Sequence, residues 1–377
     1  MSRQLKILHI APFNTSGVPI AFVKAERELG HYSRLITLGK DRRNYEEDIC
    51  LDLPFLDFWG TRIVKKFVSA PDKLSVDNQS ERLKTIPKYW KPNGVLEKKL
   101  VDFRESLWKK RIESLFREID FWNFDVYQFD GGLEFFRDVR TVKQLKSFGK
   151  KIICCYTGSD LRTRGVIQEM DEASDFNFTL EFDHLKLHPN IEHLFYPFDI
   201  DAYEIRLEPV TAPIKIGHAP TNRFAKGSAV IISAIMELQN ESDVELVLIE
   251  NLTHQESITR KRECHIFVDQ IGDLGYGLNS LEALGMGIPT CSCLASGFEE
   301  KYSDHPFVVI DETNIKQKLK ELIDNKNLRK NLGLKGRNWV EKNHNSKQTV
   351  SHIHQLADLP LQQTSSLPRH TPKFSML

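Results

Sequence analysis

Short apolar runs alternate with amphipathic stretches over most of the chain. Residues 6–11 (KILHIA) and 32–38 read as strands, separated by a helix over 18–29 that Gly30 closes as its cap. Residues 125–129 (DVYQF) and 151–156 (KIICCY) repeat the pattern, with a helix after Asp130-Gly131-Gly132 running through Leu145. In the second half, 214–218, 244–250, 264–268, the run beginning at Ile288 and 307–310 read as strands. Helices are predicted over 229–238, 253–261 and 278–286, then over 312–324, 326–342 and 346–356. Apolar runs without polar alternation suit strands buried on both faces of a parallel sheet. Strand–helix alternation in both halves predicts the α/β class: two doubly wound, Rossmann-like parallel-sheet domains facing a cleft.

The stretch from Cys264 to Cys293 carries the strongest chemical signal. A strand runs into a loop with Gly272, Gly275 and Gly277, with turn chemistry from Asp269 and Asp273, and then into a helix that Gly287 and Pro289 end. A glycine loop feeding a helix N-terminus offers backbone N–H groups and a positive dipole end to a phosphate. Glu282, one turn inside the helix, is within reach of a vicinal diol such as a ribose. An ordinary βα turn has the same outline, so the three glycines and the carboxylate carry the weight here.

Three more loops fall at the C-terminal ends of predicted strands, where open α/β sheets bind ligands. The loop 12–17 holds Asn14, Thr15, Ser16 and Gly17. The loop 157–162 reads Thr-Gly-Ser-Asp-Leu-Arg and includes Asp160. The loop 219–227 places Arg223 and Lys226 at a strand-to-helix junction, on the same edge as the glycine loop. His184 and His188 have the i,i+4 spacing of a metal pair, but Pro189 ends any helix there and no carboxylate motif accompanies them, so no metal site is expected.

The chain has 377 residues, enough for two domains, and its 52 Lys+Arg balance 52 Asp+Glu. Zero net charge argues against a nucleic-acid partner. No apolar run is long enough to span a bilayer, and the N-terminus lacks the pattern of a signal peptide. The six cysteines form no CxxC pair and suit a reducing cytoplasm. One segment differs from the rest. From Trp59 to Glu118, Lys and Arg outnumber Asp and Glu by about seven. Within it, residues 95–119 read as an amphipathic helix through Leu96, Leu100, Phe103, Leu107, Ile112, Leu115 and Ile119. Arg62, Lys65, Lys66 and Lys73 flank Phe58, Trp59, Ile63 and Phe67. Two readings follow: an interfacial segment at the inner face of a membrane or on an acidic acceptor, or a helical insertion with a solvated basic face. Charge runs are usually solvated faces, which favours the second.

GYGLNSLEALGMGIP, Gly275 to Pro289, resembles the donor-site signature of the GT-B glycosyltransferases of family 4, E-G-F-G-x-x-x-x-E-A-x-x-x-G-x-P. The resemblance covers residues 6–38 and 125 to about 343, with the basic helical segment as an insertion. It implies that Gly275, Tyr276, Gly277 and Leu278 face the donor phosphates and that Glu282 holds the ribose. The first glutamate of the signature, which touches the donor sugar, falls on Leu274, beside Asp273. The loop 157–160 is similar to the family's H-G-x-D, with Thr157 in place of the histidine and Asp160 matching. Lys226-Gly227 match the end of an R-x-x-x-x-K-G segment whose cations neutralise the donor diphosphate. The second cation falls on Arg223 or His218. Gly17 lies where the family has its first glycine loop.

The resemblance therefore implies transfer of a sugar from a nucleoside diphosphate sugar, the co-substrate, to an acceptor hydroxyl. Retention of anomeric configuration is expected, with no metal or other cofactor. The acceptor would be a glycan, a lipid or a protein. The alternatives are a nucleotide-sugar epimerase of the same fold and an inactive nucleotide-binding member. The expected organisation is an acceptor-side domain over 1–197 with the insertion at about 55–120, a donor domain over 198–345, a helix over 346–360 that returns to the first domain, and a disordered tail over 361–377. The segment 196–213 reads as the interdomain linker.

Overall fold

The computed structural model describes residues 4–41, 43–56, 87–158, 160–206, 212–272 and 275–359. Seven parallel strands form the first sheet: β1 (Lys6–Ala11), β2 (Tyr32–Thr37), β3 (Ile49–Cys50), β4 (Val126–Asp130), β5 (Lys151–Tyr156), β6 (Phe176–Thr179) and β7 (Glu192–His193). Their order is β3-β2-β1-β4-β5-β6-β7. Five parallel strands form the second: β8 (Ile214–His218), β9 (Val244–Leu248), β10 (Ile266–Val268), β11 (Thr290–Ser292) and β12 (Val308–Val309), in the order β12-β11-β10-β8-β9. This is the two-domain, doubly wound α/β architecture expected from the apolar runs. In β1, β4 and β5 every residue but the first lysines is buried, as all-parallel strands covered on both faces require.

Each order reverses once, and the reversal places the crevices. In the first sheet, β1 is flanked by β2 and β4, so the switch point lies between β1 and β4. In the second, β8 lies between β9 and β10, so the loops after β8 and β10 leave in opposite directions and open a crevice.

The two domains share one apolar core. Phe178, Leu180, Tyr196 and Phe198 of the first half cluster with Tyr276, Leu284, Phe298, Phe307 and Trp339 of the second. The helix Ser346–Leu356 packs on the helix Val18–Glu28, where Val350 and Ile353 join the same cluster. His344, just before it, accepts the Phe198 backbone N–H at its carbonyl (2.8 Å) and places Nδ1 3.0 Å from the Tyr196 carbonyl, so the linker is held at its start.

Several elements differ from the sequence reading. The helix expected after Gly132 begins only at Arg140, because Gly131 and Gly132 adopt positive φ and 131–139 form a loop. The edge strands β3 and β7 are two residues long, too short for any periodicity, and β6 was hidden by the Asn and Thr in FNFT. The helix Gly94–Glu118 exists, but the stripe along it is only half used. Trp108, Ile112 and Leu115 are buried, whereas Leu96 and Phe103 are 73% and 60% exposed. The basic residues Arg62, Lys65, Lys66 and Lys73 and the tail 360–377 lie outside the described residues. Among the described residues no helix is long and apolar enough to cross a membrane.

Candidate functional site

The crevice of the second domain is built from the loops after β8 and β10. Gly227 takes φ +63, and a Cβ there would sit 2.5 Å from the Ile271 carbonyl, so only glycine lets the two loops touch. The Ile271 N–H donates to the Lys226 carbonyl (3.1 Å), joining the loops backbone to backbone. Lys226 Nζ then reaches Asp269 Oδ1 at 2.7 Å. Asp269 Oδ2 accepts the Gly277 N–H (3.1 Å) and the Ser280 hydroxyl (2.7 Å) at the start of the helix Leu278–Gly285. Burial works against the Asp269 charge, but Lys226 and these donors overcome it and hold its pKa below the usual carboxylate value. A lysine, a carboxylate and a helix N-terminus thus meet at the switch point, as the sequence places Lys226 and Gly277.

One expectation changes here. The Gly277 N–H is not left open; the protein's own carboxylate takes it. Asp269 was read from sequence only as a turn residue. Beside it, Gln270 is fully buried and neither amide atom has a hydrogen-bond partner. Asp273 and Leu274 lie outside the described residues.

Glu282 is buried one turn into the helix. Its Oε2 accepts from Lys261 Nζ, and Oε1 stands 2.8 Å from His254 Nε2. Burial opposes its charge, but the Lys261 ammonium and His254 lower its pKa. Lys261 is itself sealed from solvent and also donates to Asn279 Oδ1 at 2.6 Å. Both carboxylate oxygens are thus committed within the protein. A ribose would share Glu282 with His254, the more exposed of the two partners. Sequence reasoning missed Lys261 and His254, which sit on the neighbouring helix His254–Arg262 with no motif to mark them.

The remaining donor-side candidates do not converge. His218 is buried, with Nδ1 2.9 Å from the Val268 carbonyl and Nε2 2.8 Å from Ser228 Oγ. Burial lowers its pKa, so the structure makes it a neutral strand-end residue and not a second cation. Arg223 is 57% exposed at its side chain and forms a fork with Glu250 at 2.8 and 2.6 Å. Tyr276 is buried in the core shared by the domains: its ring packs with Phe307, Phe298 and Trp339, and its hydroxyl lies 3.2 Å from His344 Nε2. Leu278 is half-buried against the shared core. Gly275, at φ +76, lines an interdomain pocket with Tyr276, Leu180 and Glu181.

Across the cleft, Gly17 caps the helix Val18–Glu28 at φ +70, with the Tyr45 ring 3.1 Å from where a Cβ would be. The Tyr45 ring is 6.0 Å from the His254 ring of the other domain. Gly17, Tyr45, His254 and Glu282 therefore form one line across the cleft. Asp160 is part-buried in the loop after β5 of the first domain. Its Oδ2 accepts the Thr157 N–H (3.0 Å), and both oxygens are 3.1 Å from where a Gly131 Cβ would be. His184 and His188, and the nearby His193, stand apart. His184 bridges Thr179 and the Gly158 carbonyl, His188 pairs with Asp171, and His193 meets the Tyr302 hydroxyl.

No protein-family model and no curated protein matches the chain. Solved structures do match over nearly all of it. A sucrose-phosphate synthase from Thermosynechococcus elongatus superposes with a TM-score of 0.57 at 11% identity, covering 94% of this chain and 98% of that one. An alpha-glucosyltransferase in complex with UDP-glucose and DNA containing an abasic site gives 0.60 at 10% identity, over 94% of this chain and 99% of that one. Anabaena HepE in complex with UDP gives 0.53 at 10% identity, over 94% and 100%. At such identities the likeness establishes the fold, the GT-B arrangement of two parallel-sheet domains.

Proposed function

We propose that this protein is a glycosyltransferase that moves a sugar from a nucleoside diphosphate sugar to an acceptor hydroxyl. The observation that carries the reading is the meeting of Lys226, Asp269 and the helix N-terminus at Gly277, in the crevice at the second sheet's switch point. A diphosphate leaving group gains charge as the glycosidic bond breaks. An ammonium held at the positive end of a helix in a half-buried crevice stabilises that charge without reorganising. We assign Lys226 to this role, which a metal ion plays in other enzymes, so the reaction needs no metal. Glu282 and His254 meet the ribose.

The acceptor enters from the first domain, through the loops that hold Gly17 and Asp160, and is a glycan, lipid or protein hydroxyl. Retention of configuration follows the family resemblance. Uridine donors come first, because two of the similar structures hold UDP or UDP-glucose.

The test is a panel of nucleoside diphosphate sugars incubated with the protein, with and without a lysate as a source of acceptors. One donor should release nucleotide in an acceptor-dependent way, unaffected by EDTA, and NMR of the product should show the donor's anomeric configuration. Absence of calorimetric binding for every nucleoside diphosphate tested would overturn the reading.

A further inference from the structure

The loops after β4 and β5 enclose a second polar cluster that the donor site does not use. Arg164 donates from Nη2 to the Gly131 carbonyl, and its Nη1 is buried with no hydrogen-bond partner. Arg137, on the loop after β4, also has a buried Nη1 without a partner, and so does Arg104 at Nε. The Arg137 guanidinium lies over the Trp90 ring, its carbon 5.1 Å from the centroid. Beneath Gly132 the Tyr156 hydroxyl is buried and unpartnered; a Cβ on Gly132, at φ +58, would come within 2.6 Å of it. Only glycine lets the backbone come this close to the Tyr156 ring and hydroxyl.

The charges around Arg137 do not balance. Burial and the neighbouring Arg164 and Arg104 guanidiniums push its pKa down to about 9, against the opposing pull of Glu105 and Glu97. Glu105 is already shared. Its Oε1 accepts the Arg137 backbone N–H (2.8 Å), and Arg104 and Arg140 lie 3.7 and 3.8 Å from its oxygens. Asp160 lies 3.6 Å from Arg164 Nη2 and serves the Thr157 N–H as well. Three guanidiniums with unmet N–H groups are destabilising as they stand, because each buried unmade hydrogen bond of a charged group is unfavourable. An oxyanion with several acceptor lone pairs would remove both the repulsion and the unmet donors, and forked guanidiniums suit phosphate best. Neither side chain is sealed, since Arg164 retains 15% exposure and Arg137 is only part-buried.

We propose that Arg137 and Arg164, with the Tyr156 hydroxyl, form a binding site for a phosphoryl group carried by the acceptor substrate. The anion site stands on the unmet guanidinium N–H groups alone; the word acceptor rests on the glycosyltransferase reading. A phosphoryl group held after β4 and β5, at the edge that also presents Asp160 and the Gly17 loop, leaves the rest of the molecule directed toward the cleft.

The test is calorimetric titration of the full chain at low ionic strength with inorganic phosphate, a hexose 6-phosphate and phosphatidic acid vesicles, each in the presence of saturating UDP. Saturable binding is expected, weakened roughly tenfold or more by Arg137→Gln and by Arg164→Lys and unchanged by Lys226→Ala. Arg164→Lys keeps the charge and loses the fork, so it reports if Arg137→Gln does not fold. Stronger binding of the hexose phosphate marks a soluble acceptor, and stronger binding of the vesicles a lipid one. Absence of saturable binding, equal binding by the arginine variants, or loss on Lys226→Ala instead would overturn the proposal. Failure of UDP itself to bind, with phosphate binding intact, would remove the donor reading and leave the anion site standing.

Discussion

Lys226 Nζ lies 2.7 Å from Asp269 Oδ1, while the other oxygen of the same carboxylate caps the helix that begins at Leu278. The lysine is thereby tied to the helix N-terminus through one buried side chain, Asp269, which lies 43 residues beyond it in sequence. In the unliganded protein Asp269 is the anion of the site. A diphosphate would meet a lysine held from beneath and still 17% exposed on its open side.

Asp269→Asn should therefore destabilise the protein, by about 3 kcal/mol, because a part-buried ammonium loses its counterion. A ligand that supplies the missing anion should compensate. Nucleoside diphosphate should raise the melting temperature of Asp269→Asn more than that of the wild type, by linkage to the folded state. Equal shifts in the two proteins would separate Asp269 from the anion site.

Glu282 presents a different balance. Its carboxylate neutralises Lys261, which is sealed from water. Glu282→Ala should cost about 3–5 kcal/mol in urea unfolding, the usual penalty for stranding a buried charge. Glu282→Ala combined with Lys261→Met should recover most of that loss, since an apolar side chain of similar length needs no counterion. Nucleotide affinity in the double variant then reports the ribose contact free of the folding defect. Recovery of stability with undiminished affinity would take Glu282 out of the binding site.

The returning C-terminal helix is held by a buried carboxylate. Glu26 accepts from Ser33 at 2.6 Å and lies 2.8 Å from His9 Nε2 and 3.1 Å from His354 Nε2, His354 being on the helix Ser346–Leu356. Burial opposes the Glu26 charge, but His9 and His354 hold its pKa well below the usual value of 4.5. Burial likewise opposes the His9 charge, and Glu26 raises its pKa above 6.5. The Glu26 contribution is present above pH 4.5 and is lost as pH falls through its folded pKa; that of His9 is present below 6.5 and is lost as pH rises through its folded pKa. Stability from this network should thus peak between pH 4.5 and 6.5. Melting temperature against pH should decline above 6.5 less steeply in Glu26→Gln than in the wild type. Equal slopes would place the pH dependence elsewhere.

The elements that were legible in the sequence are those whose signal is local. Parallel strands such as KIICCY announce themselves because both faces are buried, and Lys226-Gly227 and the glycine loop stand out by residue type and order. What stayed hidden depends on pairing across the fold. Asp269 looks like any turn aspartate until Lys226 is placed beside it. Lys261 looks like a solvated helix lysine, in a helix rich in charge, until Glu282 is packed onto it. Tyr276 occupies a loop position that suggests a ligand, yet its ring is claimed by the aromatic cluster between the domains. Arg137, Arg164 and Tyr156 form no motif, since the loop after one strand delivers the first and the end of another strand and its loop deliver the other two.

Lys226 and Arg223 lie three residues apart on one loop, the first matching the family segment and the second a candidate, with His218, for the other cation, and the structure separates them. Lys226 faces the crevice and is anchored by a buried carboxylate, whereas Arg223 is spent on a solvent-exposed fork with Glu250. Exposed pairs of that kind add little to stability, so Arg223→Ala should leave the fold intact and change turnover by less than about threefold. Charge on the leaving diphosphate grows toward the transition state, so a group that meets it there acts on turnover more than on binding. Lys226→Ala should then lower kcat by roughly a hundredfold or more, with a smaller change in donor KM. Steady-state kinetics of both variants on a donor identified by nucleotide release makes the comparison, with circular dichroism to confirm folding. Wild-type kcat in a folded Lys226→Ala protein would dismiss the lysine from the chemistry, and a hundredfold loss in Arg223→Ala would show that the Glu250 fork opens to deliver the second cation.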